Sequence, residues 1–234
     1  MFAIGKNRIL SFLGLILLLW GCCTEVDASN SASIGKIIAL RGHAQATATA
    51  GSSRQLTVGS EIAVADVINT GRRCRLQIMF ADSTIFSLGP ASEFVVEEYA
   101  WDAQSKQGQM ASRVNEGVFR VLGGSITKTS PQNFTTETPS ATIGIRGSMY
   151  AGRVRDGQLA VVFQGGRGIY VRNPFGSVEI STPGYGTKLD QPDQPPQEPY
   201  QYPPEELEEL DPVVATAPPS SEVVADTADT ADTA

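Results

Sequence analysis

The chain has little of the chemistry that most enzymes use, with one histidine, His43, and three cysteines among its 234 residues. No catalytic triad and no thiol–imidazole pair can be assembled from that inventory, and no GxSxG, HExxH, P-loop or paired CxxC motif occurs. The adjacent carboxylates Glu97 and Glu98 would point to opposite faces of a strand, so they could not share a substrate. The sequence therefore predicts a protein that is not an enzyme, with no catalytic residues, no metal ligands and no cofactor.

Long apolar runs are also lacking, apart from one near the N-terminus. That run, Ile9 to Trp20, follows Lys6 and Arg8, and at about twelve residues it is shorter than the roughly 20 that a membrane-spanning helix needs. A short apolar stretch behind basic residues is typical of a signal peptide. We therefore expect an exported protein, and nucleic acid is not expected as a partner.

The sequence leaves three fates of this N-terminus open. Cleavage after Ala28, where small residues precede the bond, would remove a signal peptide at 1–28 and leave a periplasmic or secreted protein. Residues 19–22 resemble a lipobox, and processing there would remove 1–21 and leave Cys22 lipidated in a membrane-tethered lipoprotein. An uncleaved anchor is the third alternative. In the last two cases the protein would contact a membrane only through its N-terminal lipid or anchor.

Basic residues are absent from the C-terminal part of the chain. Residues 29–189 contain 16 Lys and Arg against 11 Asp and Glu, whereas residues 190–234 contain 12 acidic residues and no basic one. The second segment is also rich in proline and has few large apolar residues to offset the entropy of ordering it. We therefore predict a folded domain at 29–189 and a disordered, acidic, proline-rich tail at 190–234.

The folded segment lacks helical periodicity, and its apolar residues alternate instead with a period of two. Leu76, Ile78 and Phe80 form one such series, which is typical of a half-buried strand. Turn residues recur at short intervals, and Asp156-Gly157, between two alternating segments, gives the strongest hairpin signal. The pattern predicts an all-β domain, and both a sandwich and a solenoid-like stack of short strands fit the spacing.

Arginines cluster beside a turn at Arg72, Arg73 and Arg75. They could contact an anionic partner such as an anionic polysaccharide or a lipid headgroup, and a solvated surface is the simpler interpretation. Cys74 lies among them in an alternating strand. A buried, inert thiol is expected there, with an intermolecular disulfide as the alternative.

Two segments carry the motifs of a known family. Residues 138–154 (TPSATIGIRGSMYAGRV) contain Thr-Pro, an apolar alternation and Arg-Gly, and residues 68–99 combine Thr-Gly, two apolar strands around an Asp-Ser turn, and Leu-Gly-Pro. This order resembles the FecR domain, a periplasmic all-β module, over residues 34–189. The resemblance implies a β-solenoid-like or β-roll arrangement. The residues that match the signature, expected to be structural rather than functional, are Thr70, Gly71, Asp82, Thr138, Pro139, Arg146 and Gly147.

Two positions in these motifs have specific expectations. Ser83 stands where the family has glycine, and a glycine would supply positive φ at no steric cost, so the turn after Asp82 is expected to be of a different type. Arg146 is expected to turn partly inward, where its five donors could tie together loop carbonyls or a carboxylate such as Glu137. A direct role of Arg146 in partner binding is the alternative.

FecR-type regulators also carry a cytoplasmic segment that engages a sigma factor, followed by a transmembrane helix. Only eight residues precede the apolar run here, so we expect a stand-alone, exported FecR-domain protein without that anti-sigma segment. The leading hypothesis is a non-catalytic interaction module of the bacterial cell envelope that binds an envelope protein through exposed strand edges. The alternatives are a glycan- or peptidoglycan-binding module and a membrane-anchored sensory component of FecR-type signalling.

Overall fold

A computed structural model of the chain describes residues 32–210, which form seventeen β-strands and two short α-helices. The strands are β1 (Ser33–Arg41), β2 (Ala44–Thr47), β3 (Ser53–Gln55), β4 (Glu61–Ala63), β5 (Val67–Thr70), β6 (Arg75–Phe80), β7 (Ile85–Leu88), β8 (Glu93–Asp102), β9 (Gln107–Leu122), β10 (Phe134–Glu137), β11 (Thr142–Ile145), β12 (Met149–Arg155), β13 (Gln158–Gly165), β14 (Ile169–Asn173), β15 (Gly176–Ile180), β16 (Tyr185–Leu189) and β17 (Tyr200–Gln201). The helices are α1 (Ser125–Thr129) and α2 (Pro204–Glu209). Neither is long and apolar enough to cross a membrane.

The strands form two sheets that share one long strand, β9. Sheet A has the order β4-β1-β6-β7-β9-β12-β13-β16-β17, and sheet B has the order β3-β2-β5-β8-β9-β10-β11-β14-β15. In β9, residues up to Glu116 pair with β8 in sheet B, and residues from Gly117 onward pair with β12 in sheet A. Paired strands of residues 32–210 are antiparallel, except that β9 and β10 are parallel.

The two sheets pack face to face with the hydrophobic core between them. The rings of Phe86 in sheet A and Phe94 in sheet B have centroids 4.8 Å apart. The buried Tyr150 of sheet A donates a hydrogen bond to Thr136 of sheet B at 2.7 Å. Burial raises the pKa of the Tyr150 phenol, so its hydroxyl stays protonated as a donor. The all-β prediction is confirmed, whereas the solenoid-like or roll arrangement is not confirmed.

Local sequence patterns anticipate individual strands of these sheets. Leu76, Ile78 and Phe80 are buried in β6 while the residues between them are partly exposed, as their alternation predicts. Asp156 and Gly157 form the two-residue connection between β12 and β13, with φ of 51° and 78°. Positive φ at both central residues matches the right-handed twist of a hairpin, and this prediction is also confirmed.

The turn after Asp82 differs from the prediction. Ser83 has φ of 68°, which is the left-handed conformation that a glycine would take. The backbone of the turn at this position is therefore the one expected for glycine, and not a different type. Hydrogen bonds around the neighbouring carboxylate offset the strain: Asp82 accepts from the backbone N–H of Thr84 at 3.1 Å and from its hydroxyl at 2.7 Å. A side chain can therefore hold a non-glycine residue at positive φ when it closes the turn itself.

The predicted disordered tail is folded over its first part. Residues 190–210 include β17, which pairs with β16, and α2, and the side chains of Tyr202 and Leu210 are buried. They pack on the outer face of sheet A against Ala151, Ala160 and Val162. The folded unit therefore extends beyond Leu189, because these two apolar side chains bury an apolar patch on the outer face of the β12–β13 hairpin.

Charge adds to this contact between the acidic segment and the domain. Lys188 pairs with Glu206 at 2.7 Å, and Arg153 pairs with Glu209. Both pairs join a basic residue of sheet A to the acidic segment that follows it. The remainder of the predicted tail, 211–234, lies outside the described residues, as do the signal peptide and Cys22.

A buried carboxylate, that of Asp66, lies in the connection between β4 of sheet A and β5 of sheet B. Asp66 is 3% exposed and forms a two-pronged ion pair with Arg54, with Nη1–Oδ1 at 3.0 Å and Nη2–Oδ2 at 2.5 Å. The backbone N–H of Ala63 donates to the same carboxylate at 2.9 Å. Burial acts to raise the pKa of Asp66, but the hydrogen bond from Arg54, the Ala63 N–H and the charge of Arg54 outweigh it and hold this pKa below its usual value.

The lowered pKa predicts acid sensitivity. Asp66 stabilises the fold at any pH above its unfolded pKa of about 3.9, and this contribution is lost as the pH falls through the lower folded pKa. We expect Asp66→Asn to lower the free energy of unfolding at pH 7 by about 2 kcal/mol, with a gap from the wild type that narrows toward pH 3. Urea denaturation across this pH range, with Glu98→Gln as an exposed control, measures the effect. A constant gap at all pH values would contradict it.

Candidate functional site

Two threonines of the family signature, Thr70 and Thr138, close turns through their hydroxyl groups. The hydroxyl of Thr70 donates to the carbonyl of Gly89 at 2.7 Å and accepts from the N–H of Ser92 at 2.7 Å. Thr138 in the same way donates to the carbonyl of Ala141 at 2.8 Å and accepts from its N–H at 3.1 Å. Both threonines are buried. Their contacts are those of structural residues, and the neighbouring Gly71 and Pro139 belong to the same turns.

Asp82 is the buried acidic residue of the signature. Besides Thr84, its carboxylate accepts a hydrogen bond from the N–H of Ile126 at 3.2 Å and from the hydroxyl of Tyr99 at 3.3 Å. The hydroxyl of Tyr99 in turn accepts from the N–H of Asp82 at 2.9 Å. Burial, followed by the nearby charge of Asp82, raises the pKa of the Tyr99 phenol, which therefore stays a donor. Asp82 thus joins the β6–β7 turn, β8 and the start of α1.

Arg146 does not take the inward position that we expected. Its side chain is exposed and pairs with Glu179 at 3.1 Å, whereas Glu137 pairs with Arg113 at 2.7 Å. The carbonyls are instead bound by Arg167, whose Nε donates to the Arg146 carbonyl at 3.2 Å. Gly147 follows with φ of 67°, and this left-handed turn directs the chain from β11 into β12.

Several arginines line a basic cavity in sheet A, where β1 ends and β6 begins. Its volume is about 440 Å³, and its lining residues are Arg41, Gly42, Arg73, Cys74, Arg75 and Pro90. Two of the three predicted arginines, Arg73 and Arg75, therefore line one cavity, and Arg72 is exposed next to them. Arg41, which was not among the predicted residues, is the strand partner of Arg75 in the pairing of β1 with β6. Only this register brings the two residues together, and no local signal reveals it.

The thiol in this region is inert. Cys74 is fully buried, as the sequence predicted, and burial raises the pKa of its thiol. The thiolate, which is the reactive form of cysteine, is therefore disfavoured. This geometry does not favour an intermolecular disulfide through Cys74.

Sheet B ends in strand β15, whose outer edge is open. The last strand, β15, pairs with β14 on one side and with no other strand of the described part of the chain, although Pro195 packs beside Gly176 at its start. Phe175, in the turn that leads into β15, is 56% exposed. Along β15 the side chains of Ser177 and Glu179 are exposed, and Val178 between them is partly buried. An unpaired edge beside an exposed aromatic ring is a suitable place for an extended peptide.

The sequence of the folded domain matches one family model. The model of the FecR protein family matches residues 66–167. The match falls on the part of the chain whose motifs resemble the FecR domain, as the sequence predicted. No protein with a curated description matches the chain.

Two solved structures superimpose on part of the chain. Two crystal structures of a candidate anti-sigma factor from Parabacteroides distasonis superimpose with TM-scores of 0.48 and 0.47, each at 14% sequence identity. The superposition covers 61% of this chain and 62% of each of those chains.

Proposed function

We propose that the protein is a non-catalytic, exported module of the bacterial cell envelope that binds an extended segment of another envelope protein by strand addition at β15. The observation that carries this proposal is the open edge of β15 with the exposed Phe175 at its start. Backbone groups along the edge would supply hydrogen bonds, and the ring would supply an apolar anchor. The match of residues 66–167 to the FecR family model supports an envelope location, because the FecR domain is a periplasmic module.

The same domain already holds an extended segment at the neighbouring edge. In sheet A, the edge strand β16 is paired with β17, which belongs to the C-terminal segment of the chain itself. Tyr202 follows this pairing into a buried position, and its hydroxyl donates to the Thr187 carbonyl at 3.0 Å. Strand addition with an aromatic anchor is therefore a mode of binding that this fold accommodates, and β15 offers the matching edge of sheet B.

The hairpin geometry indicates which backbone groups face the partner. The residues that flank the two-residue turn, Asn173 and Gly176, are opposite each other, and hydrogen-bonded pairs alternate with non-hydrogen-bonded pairs from there. The N–H groups of Ser177 and Glu179 therefore point away from β14, toward the open edge. The side chain of Ser177 makes no hydrogen bond to the described residues, whereas Glu179 pairs with Arg146. A substitution of Ser177 therefore tests the backbone N–H without removing a side-chain contact.

Site-specific crosslinking tests the proposed edge. With a photoreactive residue in place of Phe175, we expect a discrete crosslinked protein in the envelope of the native host. A proline at 177 (Ser177→Pro) removes the outward N–H, so it is expected to reduce the crosslink at least tenfold, while Ser177→Thr keeps the N–H and leaves the crosslink unchanged. A photoreactive residue in place of Val58, which is also exposed, is the matched control. Equal crosslinking of Ser177→Pro and wild type would contradict strand addition at β15.

The mature N-terminus decides between release and anchoring. Intact mass spectrometry of soluble and membrane fractions is expected to find a chain that starts at Ser29 in the soluble fraction. Acyl additions on Cys22 would instead define a tethered lipoprotein, whose partner belongs to that membrane. An unprocessed chain in the membrane fraction would favour the sensory alternative.

A further inference from the structure

We propose that the cavity lined by Arg41, Arg73 and Arg75 is a binding site for a phosphate group that carries at least two negative charges. This site lies beside β1 and β6 of sheet A and shares no residue with β15 of sheet B, so it goes beyond the proposed function. Two observations carry the inference: unbalanced positive charge, and a cavity whose walls are held by close backbone contact.

The arginines of this cavity are not balanced by carboxylates. Arg41 and Arg75 are directly opposite each other on antiparallel strands, an arrangement that is destabilising for like charges. No acidic residue lines the cavity, and neither arginine forms an ion pair with any of residues 32–210. In contrast, four arginines elsewhere in the domain pair with acidic side chains: Arg54, Arg113, Arg146 and Arg153. The charge at the cavity is thus available to an anion.

A donor inside this cluster also lacks a partner. The Nε of Arg75 is buried, and it has no hydrogen-bond acceptor among the described residues. A buried donor without an acceptor costs about 1–3 kcal/mol, and such a group calls for an explanation. An anion bound by the outer nitrogens of the Arg75 guanidinium would offset the repulsion from Arg41.

The walls of the cavity are held by a close approach of two backbone segments. Gly42 follows Arg41 with φ of 90°, and a Cβ at this position would lie 2.8 Å from the carbonyl oxygen of Arg73 and 2.9 Å from the Cα of Cys74. The β1–β2 connection therefore lies directly against the β5–β6 connection. This contact places the arginines of two separate chain segments around one space.

The chemistry of the cluster favours phosphate over a single carboxylate. Each guanidinium is always charged and presents donors in a planar fork that fits two oxygens of an oxyanion. A carboxylate has two oxygens and one charge, which one such fork satisfies. A phosphate monoester or pyrophosphate has more terminal oxygens and more charge, so it can accept from several guanidinium groups at once. The source of the phosphate, a soluble molecule or a lipid headgroup, is decided by the test.

The test uses the purified full chain and inorganic pyrophosphate as the probe. We expect calorimetric titration at constant ionic strength to show one binding site, with acetate bound at least tenfold more weakly. Arg75→Gln is expected to weaken pyrophosphate binding at least tenfold, whereas Arg155→Gln, an exposed arginine on β12, leaves it unchanged. Undetectable pyrophosphate binding at millimolar concentration, or equal losses in both variants, would overturn the proposal.

Thermal unfolding gives an independent readout. Without ligand, Arg75→Gln is expected to melt at the same temperature as the wild type or higher, because it relieves repulsion from Arg41. Pyrophosphate is expected to raise the melting temperature of the wild type and not that of the variant. A variant that melts well below the wild type without ligand would show that Arg75 is a structural residue and would overturn the assignment of its charge to a ligand.

Vesicles separate the two sources of phosphate. Cosedimentation with phosphatidic acid vesicles that pyrophosphate displaces and Arg75→Gln abolishes would support a lipid phosphate. Pyrophosphate binding without cosedimentation would support a soluble phosphorylated ligand. Retention on purified cell wall that requires Arg72 and Arg73, with no binding of pyrophosphate, would reject the phosphate site in favour of an anionic polysaccharide.

Discussion

Replacing Asp82 with alanine is expected to lower the free energy of unfolding by about 3–4 kcal/mol. The carboxylate is 1% exposed and accepts from the N–H groups of Thr84 and Ile126 as well as from two hydroxyls. Alanine would leave buried donors of three chain segments without their acceptor. Urea denaturation with linear extrapolation measures the loss.

An exposed aspartate with similar local contacts provides the control for this experiment. Asp102 accepts from the N–H of Gln104 at 2.8 Å and from the hydroxyl of Ser105 at 2.8 Å, but it lies at the surface. Water can replace its contacts, so Asp102→Ala is expected to lower the free energy of unfolding far less than Asp82→Ala does. Equal losses for Asp82→Ala and Asp102→Ala would show that the buried network does not stabilise the fold. Such a result would contradict a structural role for this signature residue.

Gly117→Ala is expected to be nearly as damaging, because Gly117 is the point at which β9 passes from sheet B to sheet A. Its φ is 101°, and a Cβ would lie 2.1 Å from the hydroxyl oxygen of Ser92 and 2.5 Å from its Cα. The substitution therefore adds both backbone strain and a collision with backbone. We expect a loss of about 3 kcal/mol or more, measured by thermal and urea unfolding.

The chain offers a glycine that separates strain from collision. Gly51 has φ of 83°, and a Cβ there would meet no atom within 4 Å. Gly51→Ala thus reports the cost of a left-handed alanine alone, about 1–2 kcal/mol. If Gly117→Ala lowers the free energy of unfolding no more than Gly51→Ala does, Ser92 moves away from the new Cβ without an energetic cost. The junction of the two sheets would then be less rigid than its contacts indicate.

Interactions that are local in the chain could be predicted, and those that depend on distant residues could not. The Asp156-Gly157 hairpin was predictable because a two-residue turn and its flanking alternation are written in adjacent residues. Ser83 was misjudged although its turn is local, because side-chain hydrogen bonds from Asp82 compensate for the positive φ. The partner of Arg146 was also misjudged, since its ion pair with Glu179 depends on how the hairpins of sheet B are arranged.

The predicted disorder after Leu189 was wrong for residues 190–210 for a physical reason of the same kind. Proline and acidic residues make this segment unable to form a core of its own. It is nevertheless held, because Tyr202 and Leu210 pack on Ala151, Ala160 and Val162. Composition describes what a segment can do alone and does not describe the surface that it meets.

The sequence by itself determined an all-β domain with FecR motifs, because a period of two and turn-forming residues act over a few neighbouring positions. Only the tertiary structure decided where the proposed binding surfaces lie. It placed Arg41 opposite Arg75, covered the edge of sheet A with β17 and left the edge of β15 open. These features follow from strand register and strand order, which depend on contacts between residues far apart in the chain.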